Sequence, residues 1–353
     1  MKPSVRFAFV VGAAIALAAA ATGILIYVAH PSSNFYLIGW DELEHRLFAE
    51  LLLNGGSGSL AENALYGQAL TGNATWGTGL MIAVCRYLFG SELSFMALKW
   101  ALHVLAAWLL YRLVCKYRGE RIAAYAALFF LLYPPLLVYE ASFLKDDLVA
   151  ALVIITAATI DRRWYLLTAA LALLMIAVRA NAVLFPIILL GYLRRARLRY
   201  VLLLAAVPIA AVVVILPGYV QLLQSVLHVP PATVLFFAAK YLLGPLPSNI
   251  LSVDTEAVWI FPWYTLSFLG ILGGFLLPGF YASVRANWRW ILLLLAACLG
   301  PYLPYVADVD IVGPRQFATV GWLYLMLFYE RLLQYGFHIE PRHAAGGTWS
   351  AAT

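Results

Sequence analysis

Phe7–Ala29 runs for 23 residues without a charged side chain. A helix rises about 1.5 Å per residue, so this stretch reaches about 35 Å, enough to cross the ~30 Å hydrocarbon core of a bilayer. Further apolar runs recur at Val201–Leu216 and Ile291–Leu299. The repetition points to an all-α, polytopic membrane protein. Composition agrees. The 353 residues are 64% hydrophobic and only 11% charged, whereas soluble domains are about a quarter charged. Cys85, Cys115 and Cys298 all lie in apolar segments, so no disulfide framework is expected.

Ten transmembrane helices are expected, at 7–29, 92–114, 122–139, 147–160, 164–178, 182–193, 200–217, 258–281, 290–306 and 316–333. The first is longer than the ~7–15-residue core of a cleaved signal and is read as a retained span. Those at 147–160, 164–178 and 182–193 fall short of the ~20 residues a crossing needs. Shorter helices are tolerated around a protein-lined cavity.

Charge orients this arrangement. With a cytoplasmic N-terminus, 15 of the 23 basic residues fall on inner segments, Arg194-Arg195-Ala196-Arg197-Leu198-Arg199 being the densest. The formal charge of +6 is therefore attributed to topology, and no nucleic-acid partner is expected. Four of the 17 acids (Glu120, Asp161, Glu330 and Glu340) are inside, leaving 13 at or beyond the outer face. Orientation by basic residues requires no such acidic excess. Trp76–Gly90 is apolar enough to enter the membrane, but a full crossing would reverse the basic bias, so an interfacial or re-entrant helix is expected there. Residues 1–335 read as one transmembrane domain with outer segments 30–91 and 218–257, and residues 336–353 as a disordered cytoplasmic tail. The setting implied is a bacterial inner membrane with both termini cytoplasmic and the active site outside.

Three outer segments carry candidate chemistry. In Asp41-Glu42-Leu43-Glu44-His45, a helix would put Asp41, Glu44 and His45 on one face. A carboxylate there suits a general base, and the three side chains could also ligate a divalent metal such as magnesium or manganese. The alternative is a solvated juxtamembrane face. In Glu140–Asp147, Asp146 and Asp147 start a run with no further charge until Asp161. Capping of that helix and a functional role at membrane depth are both open. In Asp308–Arg315, Arg315 is a candidate phosphate ligand, with Arg179 and Lys240 as further candidates. Each could instead pair with a nearby acid. The sequence holds no HExxH, GxSxG, P-loop or Rossmann glycine motif.

In this order, the features resemble the glycosyltransferase C superfamily, multi-span enzymes that use polyprenyl-phosphate sugars. The resemblance is best over residues 7–190. It rests on a first span, the acidic pair Asp41-Glu42, the aromatic-glycine corner Tyr87-Leu88-Phe89-Gly90 and the basic turn Leu113–Arg121. A span ending at Pro134 and the acids of Lys145-Asp146-Asp147 complete it. It implies Asp41 as catalytic base, with Glu42 and Asp146 or Asp147 positioning substrate or metal. It also implies Arg315 as the late outer arginine, and inversion at the anomeric carbon. The partners implied are a polyprenyl-phosphate-linked sugar, a glycan, lipid or protein acceptor, and the bilayer. Family members often have more spans and a large soluble C-terminal domain, which this chain lacks. The Lys-Asp corner and Leu243-Gly244-Pro245-Leu246-Pro247 also resemble O-antigen-polymerase-like proteins, making a polysaccharide polymerase or ligase the alternative. A lipid or sugar transporter is a third reading, weakened by the lack of an internal repeat.

Overall fold

Glycine and a pair of arginines mark where helices stop. A computed structural model describes residues 3–29, 40–54, 76–215, 229–233, 235, 273–299 and 314–335. Twelve α-helices are used below: α1 Pro3–Ala29, α2 Trp40–Asn54, α3 Trp76–Phe89, α4 Leu93–Arg118, α5 Glu120–Leu131, α6 Pro134–Glu140, α7 Asp146–Asp161, α8 Tyr165–Arg179, α9 Phe185–Leu193, α10 Leu198–Ile215, α11 Pro278–Leu299 and α12 Pro314–Tyr335. A 3-10 turn, Ala180–Leu184, joins α8 to α9. No strand occurs among the described residues.

Gly90 and Gly119 end α3 and α4 with φ of 73° and 91°, a region that suits glycine. α7 and α9 end differently. Trp164 N–H donates to the Thr159 carbonyl (3.0 Å) and Arg163 N–H to that of Ile160 (3.1 Å). Ala196 donates to Gly191 (2.9 Å) and Arg195 to Tyr192 (3.1 Å) in the same pattern. These are Schellman motifs, whose left-handed position usually holds glycine. Here Arg163 (φ 61°) and Arg195 (φ 51°) occupy it.

α7 lies at the centre. Its residues are buried almost throughout, from Asp146 to Thr159, as expected of a helix apolar on all sides. α4, α6, α8, α9 and α12 pack around it, while α11 packs chiefly on α12 and α1 lies outside α4, α5 and α6. Phe130 of α5 meets Trp322 of α12 edge-on at 5.4 Å, and both are fully buried. Small residues set the closest approaches. A Cβ on Gly23 of α1 would clash with the Ala141 carbonyl oxygen, and one on Gly77 of α3 would lie 2.7 Å from the backbone of Ala177 in α8.

The all-helical architecture is as expected, but ten transmembrane helices are not supported. Among the described residues, three stretches are long and apolar enough to cross a membrane: Pro3–Ile26, Leu93–Arg118 and Gly279–Leu299. Trp76–Phe89, Tyr165–Arg179, Ala182–Leu193 and Leu198–Val212 are apolar but shorter. The expected span 122–139 divides into α5 and α6 ahead of Pro134-Pro135, because proline cannot continue the i→i−4 ladder. The expected break at 282–289 is absent. α11 runs unbroken through it, because Ser283 and Asn287 turn inward and are buried with Ile291 and Leu294, while Arg285 and Arg289 stay exposed. The expected span 258–281 is described only from residue 273, and the tail 336–353 lies outside the described residues.

Candidate functional site

α4 carries polar chemistry at both ends with apolar residues between. Its second and third turns bear Lys99 and His103, both buried. The short loop between α6 and α7 brings Glu140, Ser142, Lys145, Asp146 and Asp147 against them, all buried too. The Lys99 ammonium donates to the carbonyls of Tyr139 (2.7 Å) and Leu144 (3.1 Å) and lies 3.0 Å from Asp147 Oδ2. Beside it, Arg179 at the end of α8 donates from Nη2 to Asp146 Oδ1 (2.6 Å) and from Nη1 to Thr319 Oγ1 of α12 (3.0 Å). His103 Nδ1 stands 3.5 Å from Glu140 Oε1, its ring 4.5 Å from that of Phe130.

Lys99 and Arg179 thus pair with Asp147 and Asp146, and Lys145 and Glu140 are buried in the same short stretch of chain. Charges taken out of water are tolerated only when paired and hydrogen-bonded. The pairing joins α4, the α6–α7 loop, α7, α8 and α12 at one end of the bundle. Asp146 and Asp147 also sit at the N-terminus of α7, where the helix dipole favours negative charge. The N-cap itself is Lys145 and makes no side-chain cap. Asp146 pairs with Arg179 and Asp147 with Lys99.

α2 docks at the same end. Arg46 pairs with Glu92, the residue before α4, at 3.0 Å, and its guanidinium lies 5.4 Å from the centre of the Phe143 ring. Phe143 belongs to the α6–α7 loop and stacks on Phe95 of α4 with centroids 6.5 Å apart. Asp41 is in the first turn of α2, five residues before Arg46, or about 7.5 Å along the helix. α3 backs α2 closely, since a Cβ on Gly79 would meet Phe48 at 2.6 Å.

Of the expected site residues, Asp146, Asp147 and Arg179 come together, and Arg179 does so as an ion pair. Asp41, Glu42 and Arg315 have helical backbones, but their side chains lie outside the described residues. Lys240 lies outside them altogether. On α2, Glu44 is exposed and His45 is buried. No group of three His, Cys, Asp or Glu side chains that could hold a metal is gathered among the described residues. The sequence reading missed Lys99, His103 and Thr319. A usable signal existed, because Lys99 is the one formal charge between Glu92 and Arg112, and an ionisable group within a span points to function.

A second polar layer closes the opposite end. Asp161 accepts hydrogen bonds from Lys116 (2.8 Å), Tyr117 and Arg194 (2.6 Å). Burial alone would raise its carboxyl, but these three donors hold it at about 2. Glu330 of α12 accepts from Arg118 (3.0 Å), Tyr192 (2.7 Å) and Asn287 (3.1 Å). Lys99 and Lys116 are 17 residues apart on α4, about 26 Å. The chain matches no known protein family, no curated protein and no solved structure.

Proposed function

We propose that the chain is a membrane glycosyltransferase. It would move a sugar from a polyprenyl-phosphate donor to an acceptor on the outer face of the membrane, with inversion. One observation carries this reading: the helix bearing Asp41 is fixed through Arg46 to Glu92 and Phe143, directly beside a buried, charge-balanced cluster. In this reading Asp41 takes the proton of the acceptor hydroxyl, whose oxygen attacks the anomeric carbon as the lipid phosphate leaves. Arg315 meets that phosphate. Asp146, Asp147, Lys99 and Arg179 act through positioning. Their pairing holds the α6–α7 loop and the end of α8 under α2.

The polymerase or ligase reading needs Arg179 to face a lipid diphosphate. Its contacts to Asp146 and Thr319 leave it committed within the bundle, which favours the transferase. The test is transfer of radiolabelled sugar from polyprenyl phosphate by purified protein. Asp41→Asn is expected to abolish transfer with expression and thermal unfolding unchanged, and Arg315→Ala to weaken donor use. Full activity in Asp41→Asn would sink the assignment.

A further inference from the structure

The opposite end of the bundle carries a feature that sugar transfer does not use. Between α4 and the end of α7 lies a groove of about 470 Å³, a size within the ~300–1,000 Å³ of small-molecule sites. Leu109, Leu113 and Ala158 form its apolar wall, and Arg112, Lys116 and Arg162 its charged part. The one acid lining it, Asp161, is already engaged by Lys116, Tyr117 and Arg194. Three cations against one committed acid leave the groove positive. Among the described residues, Arg112 and Arg162 form no ion pair. Each instead lies over an exposed tryptophan: Arg112 at 5.6 Å from Trp108, Arg162 at 5.0 Å from Trp164.

The surroundings are those of a membrane edge. Leu105, Trp108, Arg112 and Lys116 form one exposed stripe along α4, apolar first and basic last. α4 is one of the three helices able to cross a bilayer. Exposed tryptophans are typical at the boundary between acyl chains and headgroups. Arg162 is presented by the Schellman turn that ends α7, so its backbone has a fixed shape.

We propose that this groove binds the headgroup of an anionic phospholipid. Its phosphate would lie among Arg112, Lys116 and Arg162, and an acyl chain would run along Leu105 and Trp108. Basic pockets between membrane helices suit such headgroups, and guanidinium groups fork onto two phosphate oxygens. The proposal rests on the membrane reading of α4 and is independent of the sugar-transfer site.

The test uses the full-length protein in detergent, titrated with phosphatidylglycerol or phosphatidylcholine, with bound lipid counted by native mass spectrometry. Wild type is expected to bind phosphatidylglycerol in preference. Arg112→Gln with Arg162→Gln is expected to weaken that binding by roughly tenfold or more. Arg285→Gln with Arg289→Gln removes equal charge from an exposed stretch of α11 and is expected to leave it unchanged. Unfolding temperature checks each variant, and Arg112→Gln alone serves if the double variant does not fold. Equal binding of the two lipids overturns the proposal. So does an equal loss in the α11 variant, which marks a general surface potential rather than a site.

Discussion

Lys99 of α4 and Asp147 of α7 face each other at 3.0 Å with both side chains closed off from solvent. Removing one partner of such a pair strands the other charge, which typically costs about 3–5 kcal/mol. Lys99→Met is therefore expected to lower the unfolding temperature in detergent sharply. Lys99→Met with Asp147→Leu is expected to recover a large part of that loss, since an apolar pair needs no compensation. A double variant no more stable than Lys99→Met would show that the pair is not the main partner of either charge.

Arg179 is expected to resist conservative replacement. Its fork reaches Asp146 and Thr319 at once, and a lysine ammonium has no such planar fork. Arg179→Lys should keep the ion pair and lose the Thr319 bond, costing about 1–2 kcal/mol. If Thr319→Val in the Arg179→Lys background costs as much as it does in wild type, the bond is not what Arg179→Lys removed.

Asp161 gives a pH signature. Its folded-state value of about 2 lies below the ordinary carboxylate value of about 3.9. Between the two, the unfolded chain binds more protons, so stability falls as pH drops through that window. The full linkage is about 2.6 kcal/mol, reduced toward about 1 because Lys116 and Arg194 are half open to solvent. Asp161→Asn should flatten the unfolding profile between about pH 4 and pH 2. A wild-type profile matching that of the variant refutes it.

Arg163→Gly and Arg195→Gly are each expected to raise stability slightly, by up to about 1 kcal/mol, because glycine accepts the left-handed conformation freely. The gain is partly offset by the entropy glycine adds to the unfolded chain. Unfolding temperatures of the two single variants decide it. A loss in either would mean that its side chain contributes more than its backbone costs.

Much of the helical plan was legible because hydrophobic runs and basic turns are local signals. Phe7–Ala29, Leu93–Arg118 and Pro314–Tyr335 could be read nearly to their ends. The failures were tertiary. Residues 282–289 look like a polar turn in isolation, yet Ser283 Oγ accepts from Arg331 N–H (2.6 Å), and Asn287 donates to Leu327 and Glu330. A helix continues there because α12 supplies the partners. Asp146 and Asp147 were legible as unusual acids. The partner of Asp147, Lys99, was not, since 48 residues separate the two and no periodicity links them. α7 is shorter than a span because other helices, not lipid, cover it along its length.

The contact between Gly23 and the backbone of Ala141 sets an order for biogenesis. The surface that α1 meets is made more than a hundred residues after Gly23. Its seating can only follow α4, α5 and α6, because its packing face is built from all three. α1 therefore closes against the start of the α6–α7 loop, the same short stretch that leads to the buried acids.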